Sequence, residues 1–243
     1  MARRGIGLPR FLTFGDRVAP SLGLLLVLML VASVWGWMDG ELQRLAALSP
    51  EMIARGQLWR LVTWPFVQTD PFDLLFGALM LYWLAQQLGF VWSERRFLLR
   101  FFGYAAFASV AATLLGQVWS PASGAYLGIW PVANALIVSW AMLFPDRQVN
   151  VWGILPITGK VAALLVVGGT LLYGIARGGF AGIGLYAPHL AAIALAFVLA
   201  RGAGVGRPWR DARAWWLERD ARRRARHLKV VKKDEDDRPR WLN

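Results

Sequence analysis

The chain has 243 residues, of which 57% are hydrophobic and only 17% charged, against about 45–50% and about 25% in a typical globular domain. That excludes wholesale disorder and a conventional soluble enzyme, whose surface needs more charge. The absence of Cys removes disulfides, thiol nucleophiles and Cys-based metal sites, and two His residues, His189 and His227, are too few for a His-rich one. No cofactor and no metal are implied.

The net charge of +12 is unevenly placed: of 27 Lys and Arg, 14 lie between Arg201 and Arg240 and four in the first 17 residues. Basic ends flanking long apolar runs fit a membrane protein better than a nucleic-acid binder. Fourteen Trp fit interfacial belts. Arg outnumbers Lys 23 to 4, and Ala and Gly are abundant. This points to a GC-rich bacterial genome, hence a multi-pass protein of the bacterial cytoplasmic (inner) membrane.

In chain order, residues 1–17 form a basic cytoplasmic N-terminus. The uncharged run 18–38 reads as a retained first helix, longer than a signal-peptide core. Residues 39–71 are long for a loop, and Leu45, Leu48, Met52, Ile53, Leu58 and Trp59 suggest short interfacial helices within it. A second span follows at 72–91. Residues 101–145 carry no charge, and the WSPASG turn cluster at 119–124 divides them into two spans, 98–118 and 127–144. Spans at 160–176 and 183–201 complete six. Residues 202–243 form a basic cytoplasmic tail, partly helical and then disordered over KKDEDDRPR.

An even count puts both termini on one side. If that side is cytoplasmic, 23 Lys and Arg lie inside and only Arg44, Arg55, Arg60 and Arg177 outside, a strong positive-inside bias. The expected fold class is an all-α six-helix membrane bundle. The fourth span should sit centrally, with Gly124 and Gly128 as a small-xxx-small spacing for close approach to Ala191, Ala192 and Ala196.

Apart from Arg100, Lys160 and Arg201 at span ends, Asp73 and His189 are the Asp, Glu, Lys, Arg or His residues within the spans, and such residues are functional candidates. Their structural alternatives are an N-cap of the second helix after Pro71 and a satisfied core histidine.

GQLWRLVTWPFVQTDPFDLLFGALMLYWLA (56–85), LGIWPVANALIVSWAMLFPDRQV (127–149) and APHLAAIALAFVLA (187–200), in this order on six spans, resemble the rhomboid superfamily. There, a WR-containing first loop precedes H-L-L-F-N-M, the fourth span runs from G-x-S-G to L-F-P, and the sixth carries A-H-x-x-G-x-x-x-G. The resemblance implies an intramembrane serine protease fold with a Ser–His dyad and a second-span His and Asn at the oxyanion.

Carried over residue by residue, the chemistry is missing. Trp130 stands at the nucleophile, Asp73 and Gly77 at the oxyanion His and Asn, and His189 alone survives from the dyad. Trp130 offers a His base nothing to activate, and Asp73 would repel an oxyanion. Ser139 is nine residues along the same helix, half a turn off-face, and Ser123 precedes it; neither is well placed.

The resemblance implies a proteolytically inactive rhomboid-like protein, a pseudoprotease, whose partners are membrane lipids and the transmembrane helices of clients, with no nucleic acid. The alternatives are an active protease with a displaced nucleophile and a small channel or transporter, for which the spans offer almost no polar lining. The family's site predicts that Asp73, Trp130 and His189 converge, with Asp73 able to pair with His189 and hold it protonated, the wrong state for a base.

Overall fold

A computed structural model describes residues 13–14, 17–18, 20–151 and 155–201. The tail 202–243 and most of the N-terminal segment 1–17 lie outside the described residues. Within them, α1 (Pro20–Met38), α4 (Pro71–Gly89), α5 (Glu94–Val118), α6 (Trp130–Leu143), α7 (Gly159–Leu185) and α8 (Ala187–Arg201) occupy the six segments expected as spans. Three of them, α1, α5 and α7, are long and apolar enough to cross a membrane by length and composition. Helix α4 matches α1 in length but includes Asp73 and two glutamines, and α6 and α8 are shorter apolar helices. The described chain departs from an all-α expectation in two small antiparallel hairpins, β1 (Thr13–Phe14) with β2 (Arg17–Val18), and β3 (Gln148–Val151) with β4 (Leu155–Thr158).

Leu24, Val31, Leu75, Leu164 and Leu172 all point out of the bundle. A contiguous apolar exterior of this kind suits hydrocarbon rather than water. The inward face of α5 repeats at helical spacing through Phe97, Phe101, Tyr104, Ala105, Ala108 and Ala112, and its small residues permit close approach of neighbouring helices. Helix α6 is central: nine of its 14 residues are buried, and it packs on α4, α5 and α7. Ala192 and Ala196 of α8 join the same core.

The two ends of the bundle are tied differently. At one, the Ser21 N–H donates to the Glu94 carboxylate at 3.2 Å, placing the start of α1 beside the start of α5. At the other, Leu48 and Tyr126 exchange backbone hydrogen bonds of 2.9 Å each way, laying the loop after α1 over the segment that enters α6.

That loop contains α2 (Gly40–Ala46), α3 (Pro50–Ala54) and two 3₁₀ turns, Leu58–Leu61 and Trp64–Phe66. Arg60 anchors it. Its guanidinium is buried and donates to the carbonyls of Arg44 at 2.5 Å and Ala47 at 2.7 Å, and to Gln57 Oε1 at 2.6 Å. The carbonyls at the end of α2 have no intrahelical partner, and a cation there also meets the negative end of the helix dipole. Trp64, fully buried, donates through Nε1 to Ser109 Oγ of α5 at 2.9 Å.

Gly128 does not pack helix on helix. It precedes α6 with φ +107°, a conformation glycine adopts without strain, and its N–H donates to the Trp64 carbonyl at 3.1 Å. Gly124 likewise lies ahead of α6. Helix α7 breaks at Gly178 and Gly179. Beyond the break the chain folds back so tightly that a Cβ on Gly182 would lie 1.9 Å from the Gly174 carbonyl oxygen.

Replacing Arg60 with Ala should orphan two carbonyls at the end of α2. We expect a loss of about 2–3 kcal/mol, seen as a lower unfolding temperature of the detergent-purified protein. An unchanged unfolding profile would show that the loop does not depend on this guanidinium.

Candidate functional site

The starts of α4, α6 and α8 meet at the end of the bundle covered by the loop after α1. Helix α4 begins in a DPFD run. Asp70 is its N-cap, accepting from the Asp73 N–H at 2.8 Å, with Pro71 at the first helical position. The capping role expected of Asp73 therefore belongs to Asp70, three residues earlier. This leaves the Asp73 carboxylate free to reach sideways. It accepts from Trp130 Nε1 at 3.0 Å through one oxygen and from Thr69 Oγ1 at 2.9 Å through the other. No cation pairs with it among the described residues.

Helix α6 begins at Trp130 because Gly128 turns the chain and Pro131 sits within the first helical turn. Gln68, wholly buried, holds this start. Its Oε1 accepts from the Ile129 N–H at 3.1 Å, and its Nε2 donates to the Pro65 carbonyl at 2.8 Å. The Gln68 backbone is held in turn by Ser33 Oγ at 3.0 Å and Trp37 Nε1 at 2.9 Å, so α1, the loop and α6 are locked by one residue. Ile129 is fully buried against Gly77, where an added Cβ would lie 2.7 Å from Ile129 Cγ2.

His189, in the first turn of α8, is buried, and its Nε2 pairs with the Tyr126 hydroxyl at 3.2 Å. Burial pushes the Tyr126 phenol above its ordinary range, so it remains a neutral hydroxyl. The His189 ring lies between two tyrosines, edge to face with Tyr126 and tilted on Tyr186, with centroids 5.1 Å away in each case. Asp73, Trp130 and His189 thus line one open groove of about 730 Å³. Only Asp73 and Trp130 touch; the expected pairing of Asp73 with His189 is not formed, because each already has a neutral partner.

The buried serines of the bundle are each hydrogen-bonded. Ser139 Oγ donates to the Ala135 carbonyl at 2.8 Å and pairs with the Tyr104 hydroxyl at 2.7 Å. Ser33 and Ser109 bond to carbonyls one helical turn back. The side chain of Ser123 lies outside the described residues. Among the described residues, no group of three His, Asp or Glu could hold a metal.

Sequence reasoning missed Gln68, Tyr126, Tyr173, Arg177 and Tyr186. The tyrosines left a signal: the chain has five, and three of them line this groove.

The apolar exterior, the long hydrophobic helices and a polar groove sunk into one end define an integral membrane protein. Residues 21–200, from the first turn of α1 to the end of α8, match the family described as eukaryotic integral membrane protein (DUF1751), and the chain belongs to that family. No curated protein matches the chain. The eukaryotic family overturns the assignment to a bacterial cytoplasmic membrane. The error is physical in origin: Arg, Ala and Gly usage follows base composition, and charge asymmetry orients spans without saying which membrane they cross.

Trp130→Phe keeps an aromatic ring, though a smaller one, and removes the indole N–H. Asp73 should lose one of its two side-chain donors, with a destabilisation of about 1–3 kcal/mol. Thermal unfolding in detergent tests this; a wild-type midpoint would show that the contact contributes nothing.

Proposed function

We propose that the chain is a rhomboid-like membrane protein of six spans that has no proteolytic activity and binds transmembrane helices of other proteins. The observation that carries the inactive reading is the junction of Ile129, Gly77 and Gln68. In the family it resembles, the start of the fourth span offers a nucleophile and a backbone donor beside a side-chain donor from the second span. Here the Ile129 N–H is taken by Gln68, and Ile129 itself fills the space beside Gly77. Trp130 has no nucleophilic atom. Asp73 adds negative charge where an oxyanion would form. His189 faces a phenol rather than a serine.

Six spans are supported by six helices in the expected places and by the charge asymmetry of the sequence. Client binding is supported by the packing of the bundle. Helices α4 and α7 both lie on α6 but scarcely touch each other, and the groove opens beside Leu165 and Val166 of α7. A gap bordered by apolar side chains admits another helix at little desolvation cost in lipid.

A photoreactive residue at Leu165, exposed on α7, should crosslink recurrently to single-span proteins in the native membrane, read by mass spectrometry. Crosslinks to lipid alone would remove client binding from the reading.

Serine-directed fluorophosphonates should label neither the native chain nor Trp130→Ser. The added hydroxyl would still face a Gln68-occupied donor and an Ile129-filled pocket. Labelling of the native chain that vanishes in Ser123→Ala or Ser139→Ala would establish the displaced-nucleophile alternative instead.

A further inference from the structure

The groove carries two opposite charges that have no ion-pair partner among the described residues. Asp73 on one wall is bonded only to the neutral donors of Trp130 and Thr69. Arg177, exposed at the break in α7, forms no ion pair among the described residues. Its guanidinium lies 5.1 Å from the Tyr173 ring centroid and donates to the Tyr173 hydroxyl at 2.9 Å. Both side chains line the same cavity.

Aromatic rings connect them. Tyr173 meets Tyr186 edge to face with centroids 5.6 Å apart, and Tyr186, His189 and Tyr126 follow at 5.1 Å steps. Trp130 stands on the Asp73 wall. Aromatic faces beside a carboxylate attract a quaternary ammonium, which has no N–H to donate and so gains most from ring quadrupoles and unspecific charge attraction. A guanidinium at the rim suits a phosphodiester. The gap between α4 and α7 leads from the groove past Leu165 towards the apolar exterior.

We propose that this groove binds the zwitterionic headgroup of a choline phospholipid drawn from the surrounding bilayer. The trimethylammonium group sits among the rings of Trp130, Tyr126 and Tyr186 beside Asp73, the phosphate lies on Arg177, and the acyl chains run along the α4–α7 gap. A groove of about 730 Å³ accommodates such a group. The assignment goes beyond client binding and does not depend on it.

Two substitutions isolate the charges without disturbing the fold. Asp73→Asn keeps an acceptor for Trp130 Nε1 and can donate to Thr69 Oγ1. Arg177→Gln changes an exposed side chain. The full-length protein, delipidated in detergent, is titrated with phosphatidylcholine, phosphatidylethanolamine or phosphatidylglycerol and followed by native mass spectrometry, with thermal unfolding as the folding control. Phosphatidylcholine should be retained at least about fivefold more tightly than either other lipid, and each substitution should weaken it by about fivefold or more at an unchanged unfolding temperature. Equal retention of phosphatidylcholine and phosphatidylglycerol would overturn the zwitterion site. Equal retention of phosphatidylcholine and phosphatidylethanolamine would overturn recognition of the quaternary ammonium. Indifference to Asp73→Asn would place the lipid elsewhere. Client crosslinking from Leu165 is a separate readout, so either reading can fail while the other stands.

Discussion

A single carboxamide holds the architecture together at the grooved end of the bundle. Gln68 is wholly buried and makes side-chain contact with the start of α6, while its backbone is bonded by Ser33 and Trp37 of α1. Inside a bilayer protein an unmade polar contact finds no water to replace it. The loop after α1 therefore has one arrangement that satisfies this residue, and that arrangement determines where α6 begins. The entry of α6 in turn fixes the positions of Ile129 and Trp130, and the Leu48–Tyr126 bridge presents the Tyr126 hydroxyl to His189. Arg60 acts one layer further out, holding α2 so that the loop keeps its shape.

The break in α7 is the second determinant. Had the helix run straight, Tyr173, Arg177 and Tyr186 would be strung along one axis instead of gathered at one groove. Gly182 permits the return because no side chain intervenes between it and the Gly174 carbonyl. Tyr186 then packs edge to face on Tyr173, and His189 comes to rest between Tyr186 and Tyr126. The polar groove is a product of chain reversal as much as of helix packing.

These two features separate what could be read from the residues alone from what could not. Uncharged runs and punctuation placed five of the helices to within about four residues, since hydrophobic length and turn chemistry are local signals; α7 runs to Leu185, nine residues past the expected end at 176. The DPFD run also signals a helix start, but which aspartate caps it depends on where the helix begins, and that is set by Pro71. The spacing of Gly124 and Gly128 suggested helix packing because spacing is blind to φ; only the fold shows Gly128 in a turn. Gln68 carries no motif at all. Its importance arises from burial between segments 35 and 61 residues away in sequence, which no local pattern encodes.

On the reading proposed above, the features that stand against protease chemistry are distributed rather than confined to one position. Transition-state stabilisation requires donors aimed at the oxygen where charge develops, free of other partners. At the start of α6 the Ile129 N–H already donates to Gln68, so it is withdrawn even before the side chains are considered. Restoring a donor at Gly77 would require Ile129 to move, because the two approach too closely for a Cβ. Moving Ile129 would strain its bond to Gln68 and hence the loop. Asp73→Asn would neutralise the charge and keep the acceptor that seats the Trp130 ring but would leave Ile129 and Gln68 as they are. Gly77 and Ile129 are thus held in place by one another, and Gln68, which holds Ile129, also ties the loop to α1. The same coupling leaves the groove polar and charged, in keeping with the ligand-holding role proposed for it.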